Sequence, residues 1–227
     1  MADKYALRRW FIRDILLKYI GFRLLVKPNV EGLDNIPASG PTILMMNHTV
    51  SIDGVVVMGV VKSRFVVPMI KAENFDHWFI GPLARMWGAY AIKRGEVDLE
   101  AMKLTLELIN RGDLVLIAPE GHRQGQLHDP KDGLTYIALK TNAVIVPTAT
   151  FNMETWVKDL YRPRLTQAQI RFGKPFRLKA KGRMPREAMR EATHEMMYQL
   201  ATLLPEKYRG DYRDLSQMTT NHLEFIS

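Results

Sequence analysis

Short apolar segments alternate with longer mixed segments along most of this chain, and the alternation limits the folds it can adopt. The apolar segments are predicted strands, at residues 42–46, 64–68, 89–92, 114–118, 143–147 and 169–172. The segments between and after them are predicted helices, at about 52–62, 75–87, 97–110, 133–140 and 186–204. Strands that are almost entirely apolar are typical of a parallel sheet covered by helices on both faces. The sequence therefore predicts an α/β fold, with a mostly parallel central sheet flanked by helices.

Size and composition favour a single domain. The chain has 227 residues, 47% of them hydrophobic, and shows no internal repeat and no Gly/Ser-rich linker. That is enough apolar material for a substantial core in one domain of ordinary size. The chain has no cysteine, which excludes a disulfide scaffold, a zinc ribbon and a cysteine nucleophile.

The charge distribution predicts an anionic partner. The formal net charge is +8, with +5 in residues 1–28 and +9 in residues 158–190, so the remainder of the chain is acidic. Nucleic acid, a membrane surface or a phosphorylated substrate would suit such a chain. The aromatic residues of 158–190 form no RNA-binding signature, and no helix-turn-helix is evident. A membrane surface of anionic lipid and a phosphorylated substrate explain the basic stretch equally well, and nucleic acid is not expected.

The first residues predict an amphipathic helix over about 5–26, ended by Pro28. Aromatic and aliphatic residues alternate there with arginine and lysine. Such a helix lies in a lipid interface, or it packs on the domain, and the segment itself favours neither. No stretch approaches the roughly 20 continuous apolar residues of a membrane span. The segment also lacks the features of a signal peptide, so a secreted protein is not expected.

Chemistry in open parallel sheets collects where the strands end, and His48 follows the predicted strand 42–46. Asp53, five residues later, is expected within hydrogen-bond reach of one imidazole nitrogen. That contact would leave the other nitrogen as a general base, with the nucleophilic hydroxyl coming from a substrate. The alternative is a turn histidine, with Asp53 helping to start a helix.

Cationic turns follow two further predicted strands. Lys93 and Arg94 follow the strand 89–92, and Glu120, Gly121 and Arg123 follow the strand 114–118. Arginine and lysine at one sheet edge could bind a phosphate, with Glu120 orienting them or accepting from a substrate hydroxyl. Each turn alone would be an ordinary solvated loop, but three polar turns at one predicted edge favour a site.

Other site types fit less well. His122 and His128, with Glu120, Asp129 and Asp132 nearby, could support a metal-assisted hydrolase, but their spacing matches no helical metal-binding pair. No metal site is therefore expected. The chain lacks the Gly-x-Ser-x-Gly elbow of serine hydrolases, the P-loop and the dinucleotide-binding glycine pattern.

Taken in order, these turns resemble the motifs of the glycerolipid acyltransferases, the lysophosphatidic acid acyltransferase family. The matching positions are Asn47, His48 and Asp53; Gly88, Ile92 and Arg94; Pro119, Glu120, Gly121 and Arg123; and Val146 with Pro147. Lys131 and Gly133 also stand where the family often has a Lys-x-Gly. The resemblance covers about residues 30–180. Ala91, Lys93 and His122 depart from the usual motifs, which leaves the identity of the acceptor open.

The resemblance implies an O-acyltransferase that moves a fatty acyl group from acyl-CoA or acyl carrier protein to a lyso-glycerolipid, most often 1-acylglycerol 3-phosphate. His48, oriented by Asp53, would be the base, and Lys93, Arg94, Glu120, Gly121 and Arg123 would seat the acceptor's phosphate. No metal or bound cofactor is required. Residues 1–28 would then be a membrane-associating helix and 29–227 the acyltransferase domain, peripheral at the cytoplasmic inner face of a membrane. Alternatives are glycerol 3-phosphate or another lyso-lipid as acceptor, or a basic module that binds anionic lipid without catalysis.

Overall fold

A computed structural model describes residues 5–93, 98–121, 123–162 and 164–226. Its strands are β1 Val26–Glu31, β2 Thr42–Met46, β3 Val66–Lys71, β4 Tyr90–Ile92, β5 Leu114–Ile117, β6 Val144–Phe151, β7 Thr166–Phe172, β8 Phe176–Leu178 and β9 Leu223–Phe225. Its helices are α1 Ala6–Trp10, α2 Phe22–Leu24, α3 Asp53–Val60, α4 Ile80–Trp87, α5 Leu99–Asn110, α6 Gly133–Thr141, α7 Trp156–Leu160 and α8 Arg186–Thr202. Residues Phe11–Gly21, between α1 and α2, form a π-helical segment.

The strands form one sheet in the order β1-β7-β6-β2-β5-β3-β4, with β8 paired to β6 and β9 to β8. Strands β6, β2, β5, β3 and β4 are mutually parallel, which confirms the predicted α/β fold with a mostly parallel sheet. Strands β7 and β8 run antiparallel to β6, and β1 runs parallel to β7. All five parallel strands therefore end at one edge, called here the carboxyl edge, where β7 and β1 begin.

Helices cover both faces of the sheet, which explains why its central strands are almost entirely apolar. Ile43 and Met45 of β2 lie in a buried cluster with side chains of α6 and α8. Leu44 and Met46, the alternate residues of the same strand, lie in a second cluster with side chains of α3. Successive side chains of a strand point to opposite faces, so every position of β2 is buried.

Pro147, the last residue of the predicted strand 143–147, lies in the middle of β6, because β6 continues to Phe151. The Pro147 carbonyl accepts from the Gly173 N–H at 2.8 Å, so the proline nitrogen also faces the β7 and β8 side. On that side β6 changes partner, from β8 at Ile145 to β7 at Thr148. Proline has no N–H to donate. Pro147 lies between the part of β6 that pairs with β8 and the part that pairs with β7, so neither pairing loses a hydrogen bond.

The N-terminal segment, residues 6–24, is helical as predicted, but it ends at Leu24 and Pro28 lies within β1. One side of the segment packs on the domain: Ile12 is buried, and Phe22 lies against Gly59 of α3. Arg9 is also buried, and its Nε donates to the Trp87 carbonyl at the end of α4. Large apolar side chains remain exposed on the rest of the segment; they are Leu7, Trp10, Phe11, Tyr19, Ile20 and Leu24. The proposed roles of 1–28 and 29–227 stay predictions.

The basic stretch 158–190 does not form one continuous element. Its charges are distributed over α7, β7, β8, the start of α8 and the connections between them. Several act within the fold: Arg171 pairs with Glu31 at 3.1 Å, and Arg190 pairs with Asp132 at 3.3 Å and with Asp129. Within the described ranges, no helix is both long enough and apolar enough to cross a membrane.

Candidate active site

The turn after β2 is fixed by the side chain of Asn47. Asn47 is buried, its Nδ2 donates to the Thr150 carbonyl at 2.8 Å, and its Oδ1 accepts from the Thr150 N–H at 2.8 Å. The side-chain amide of Asn47 thus forms the hydrogen bonds to β6 that the backbone of a further β2 residue would form. The main chain is free to leave the sheet at this point, so His48 lies on a turn at the carboxyl edge.

His48 and Asp53 form the contact that their spacing predicts. The Nδ1 of His48 lies 3.2 Å from Oδ2 of Asp53, whose side chain is fully buried, while the imidazole is 21% exposed. Asp53 is the first residue of α3. Its carboxylate also accepts from the N–H groups of Thr49 at 2.6 Å and Val50 at 3.1 Å. A carboxylate only accepts hydrogen bonds, so Nδ1 of the neutral imidazole carries the proton and Nε2 is left basic.

Glu120, which follows β5, is almost completely buried at 1% exposure. Its Oε1 accepts from the His128 N–H at 2.9 Å, and the backbone of His48 forms a further hydrogen bond with the carboxylate. Burial raises the pKa of Glu120 to about 7, against the two backbone hydrogen bonds and the two nearby imidazoles, which lower it. The carboxylate therefore connects the turn after β2 to the loop after β5.

The other predicted phosphate-binding residues lie near this connection or farther along the same edge. Gly121 has φ +73°, and the Lys131 side chain lies across it, with Nζ within 3.7 Å of where a Cβ would be. Arg123 is exposed in the same loop. Lys93 is exposed at the end of β4, three strands away from β2, and its N–H donates to Asp98 at 2.8 Å. Arg94 lies outside the described residues.

The remaining motif residues shape the backbone. Gly88, with φ +80°, ends α4 in the left-handed conformation, close to Tyr5 and Arg9. The Pro119 carbonyl accepts from the Lys131 N–H at 3.0 Å, which folds the loop after β5 back on itself. Val146 is fully buried in β6, paired with Leu44 of β2.

The residues considered for a metal site are engaged with other partners. His128 pairs with Asp211 at 3.4 Å, and Asp129 and Asp132 pair with Arg190. Across the described parts of the chain, no group of three or more His, Asp or Glu residues is placed to hold a metal ion. His122 lies outside those parts, so its contribution stays a prediction.

Two contributions to the site were not predicted from the sequence. The Gln124 N–H donates to the His48 carbonyl at 2.8 Å, so the loop after β5 holds the peptide of His48. The C-terminal residues 205–212 in turn contact this loop at Leu127. Both contacts join segments that are distant in sequence, and no local pattern marks them.

A buried carboxylate that holds a partly exposed histidine at a sheet edge is an arrangement that can orient the imidazole for proton transfer. The family model named Acyltransferase matches residues 27–150 of this chain, and the chain belongs to that family. The match includes β1 to β5 and most of β6, together with the turns that carry His48 and Glu120.

Similar proteins agree with this assignment. The chloroplastic 1-acyl-sn-glycerol-3-phosphate acyltransferase LPAT1 of Arabidopsis thaliana is 32% identical over 127 residues, 53% of this chain and 35% of that protein. The 1-acyl-sn-glycerol-3-phosphate acyltransferase of Bacillus subtilis is 27% identical over 121 residues, 53% of this chain and 60% of that protein. This chain thus spans little more than a third of the plant protein. The crystal structure of the 1-acyl-sn-glycerophosphate (LPA) acyltransferase PlsC from Thermotoga maritima has the same fold, with a TM-score of 0.65, 20% identity and coverage of 97% of this chain and 86% of that one.

Proposed function

We propose that this chain transfers a fatty acyl group from a thioester, acyl-CoA or acyl carrier protein, to the free hydroxyl of 1-acylglycerol 3-phosphate. The observation that carries the proposal is the contact between His48 and the fully buried Asp53, at a sheet edge that also presents cations. The names of the similar proteins support this acceptor.

In this reaction His48 moves a proton and the substrates exchange the acyl group. The Nε2 of His48 takes the proton of the acceptor hydroxyl as its oxygen attacks the thioester carbon, and Asp53 stabilises the imidazolium that forms. The tetrahedral intermediate collapses, the carbon–sulfur bond breaks, and His48 returns the proton to the leaving thiolate. The products are an ester and a free thiol. Such positioned base catalysis contributes on the order of 10²–10⁴-fold in rate. We propose that the reaction needs no metal or bound cofactor.

Thiol release tests the proposal directly. The chain has no cysteine, so a thiol reagent reports only thiol released from acyl-CoA. Release that depends on 1-acylglycerol 3-phosphate is expected, and it should be lost in His48→Ala. His222→Ala is the matched control, because His222 also contacts a carboxylate, Glu191 at 3.1 Å. No transfer from either type of donor to any lyso-lipid acceptor would refute the proposed reaction, and equal loss in both variants would refute the proposed role of His48.

The acceptor's phosphate is proposed to bind the cations that surround the Gly121 turn. Lys131 lies across Gly121, and Arg123 is exposed in the same loop. Arg123→Gln is therefore expected to raise KM for 1-acylglycerol 3-phosphate while leaving the KM of the acyl donor unchanged. Arg111→Gln, at an exposed cation paired with Asp113 at the end of α5, is the control. Loss of kcat without a change in acceptor KM would contradict this assignment.

We further propose that the carboxyl edge faces a bilayer of anionic lipid, at the cytoplasmic inner face of a membrane. Three connections at this edge expose large apolar side chains: Trp78 is 83% exposed after β3, Tyr161 is 87% exposed between β6 and β7, and Leu24 is 67% exposed before β1. Lys158 and Arg162 lie beside Tyr161. Exposed aromatic residues with adjacent cations suit the interface of an anionic membrane. If residues 1–28 also associate with the membrane, the exposed apolar side chains of the N-terminal segment would extend this contact.

Vesicle binding tests this orientation. Binding to vesicles containing phosphatidylglycerol is expected, with weaker binding to pure phosphatidylcholine and a decrease as salt increases. Tyr161→Ser should weaken binding by about 10- to 100-fold, since burial of a large apolar side chain contributes about 1.5–3 kcal/mol. Tyr136→Ser is the control, because Tyr136 is 36% exposed within α6. Equal effects of the two substitutions would contradict the assigned membrane face.

A further inference from the structure

The C-terminal turn, defined here as residues 205–212, follows α8 and lies beyond the family match, which ends at residue 150. It contains two short 3-10 turns, Glu206–Tyr208 and Gly210–Tyr212. Tyr208 and Tyr212 are 4% and 3% exposed. The Tyr208 hydroxyl lies 3.2 Å from both the N–H and the Oδ1 of Asn152, at the end of β6. The two rings thus anchor the C-terminal turn in the core.

The C-terminal turn binds the loop after β5 through main-chain hydrogen bonds. The Leu127 N–H donates to the Tyr208 carbonyl at 2.9 Å, and the Leu127 carbonyl accepts from the Asp211 N–H at 3.0 Å. The Nε2 of Gln126 donates to the Lys207 carbonyl at 2.9 Å. In its described part, residues 118–132 contain no helix and no strand. This loop therefore depends on such external contacts for its position.

The loop after β5 holds His48 in turn, at both polar groups of its peptide. The Gln124 N–H donates to the His48 carbonyl at 2.8 Å. The Glu120 carboxylate accepts from the His128 N–H at 2.9 Å and forms a hydrogen bond with the backbone of His48. The hydrogen bonds of the C-terminal turn thus hold Leu127, the next residue His128 donates to Glu120, and Glu120 bonds the backbone of His48.

We propose that the C-terminal turn is a positioning element for His48 and that Glu120 is the positioning residue at its junction with the His48 turn. Glu120 is buried between two backbone donors, so it acts by fixing the turn and not by contacting the acceptor. Only the expected change in kcat rests on the proposed function, and the position of His48 is independent of it. A displacement of about 1 Å at a catalytic group can lower the rate by about 100-fold.

A glycine pair gives a matched test. Gly210 has φ +52°, and a Cβ there would overlap the Leu127 carbonyl. Gly182 has φ +81°, and a Cβ there would meet nothing within 4 Å. Both alanine substitutions strain the backbone, but only Gly210→Ala displaces Leu127. We expect Gly210→Ala to lower kcat by about 10- to 100-fold with the KM of the acyl donor unchanged, and Gly182→Ala to leave kcat near that of the parent protein.

A second readout keeps the inference independent of the reaction. The chain has six histidines, so the imidazole resonance of His48 can be assigned by NMR with His48→Ala. In the absence of substrate, that resonance should shift in Gly210→Ala and stay in place in Gly182→Ala. An inactive parent protein would refute the proposed function, while this shift would still support the positioning role.

A milder pair serves if Gly210→Ala does not fold. Gln126→Ala removes the bond to the Lys207 carbonyl, and Gln167→Ala removes a local bond to Leu165 at 3.1 Å. We expect Gln126→Ala to lower kcat several-fold and to shift the His48 resonance, and Gln167→Ala to do neither. An unchanged His48 resonance in folded Gly210→Ala, or in Gln126→Ala where the former does not fold, would overturn the inference. Equal effects within a pair, or a change confined to KM, would also overturn it.

Discussion

Asp53→Asn separates the structural role of this carboxylate from its effect on His48. The side chain is fully buried and accepts from Thr49 N–H at 2.6 Å, from Val50 N–H at 3.1 Å and from His48 Nδ1 at 3.2 Å. Asparagine offers one acceptor oxygen and two N–H donors. In either orientation, a donor of the amide faces a donor of the turn or the imidazole. Leaving one such buried group unsatisfied costs about 1–3 kcal/mol, so the free energy of unfolding should fall by about that amount.

The catalytic loss in Asp53→Asn should exceed what the loss of stability explains. If the amide donates to Nδ1, the imidazole proton moves to Nε2 and the base is lost, so kcat should fall about 10²–10⁴-fold. Thiol release under conditions where circular dichroism shows a folded protein measures this. Asp214→Asn is the control, because Asp214 also accepts a backbone N–H, that of Ser216 at 3.0 Å, but contacts no histidine.

A double variant supplies the refuting result. If Asp53 acts only through His48, the double variant His48→Ala/Asp53→Asn should have the kcat of His48→Ala alone. Multiplication of the two single losses would contradict the proposed relation between these residues. Retention of most of the parent kcat in folded Asp53→Asn would contradict it as well.

Two further predictions concern stability. Burial raises the pKa of Glu120 from 4.5 to about 7, so the folded protein binds more protons than the unfolded chain between these values and stability falls as pH rises through this window. Denaturant titrations at pH 4.5 and 8 would compare the free energy of unfolding of Glu120→Gln with that of the parent. The variant should gain stability relative to the parent as pH rises, by about 3 kcal/mol at most. A difference that stays constant with pH would contradict the raised pKa. Gly88→Ala should lower the free energy of unfolding by about 1–3 kcal/mol, since Gly88 has φ +80° and a Cβ would crowd Tyr5 and Arg9; Gly182→Ala, which is equally strained but uncrowded, should lose less, and equal losses would contradict the crowding.

The central sheet could be predicted because burial on both faces leaves a plain signature in the sequence. The segment 42–46 is apolar after Thr42, and the structure places it in β2 with those bounds. Val26–Glu31 gives no such signal, because it contains Lys27, Pro28 and Asn29 and forms an edge strand with alternating burial. β8 and β9 are three residues each, too short for a periodic pattern to appear.

The contact of His48 with Asp53 could be predicted because it is local. A strand end followed by a helix start brings residues five apart together, whatever the rest of the chain does. The burial of Glu120 could not be predicted in the same way. It depends on the return of the loop to His128 and on Tyr208 and Asp211, some 90 residues away in the chain. A pattern of charged residues after a strand indicates a polar turn, but it does not indicate which of them the tertiary structure encloses.

The N-terminal segment is attached to the domain at two separate points. Phe22 packs against Gly59 of α3 near one end, and Tyr5 and Arg9 pack against Gly88 at the other. A helical segment held at both ends cannot swing about one of them. A surface in contact with the exposed side of this segment would therefore lie at a fixed height and tilt relative to His48, because the segment is packed on the domain that carries His48. The distance from that surface to the His48 imidazole is thus set by the fold, and a substrate that extends from the surface to His48 has to span it.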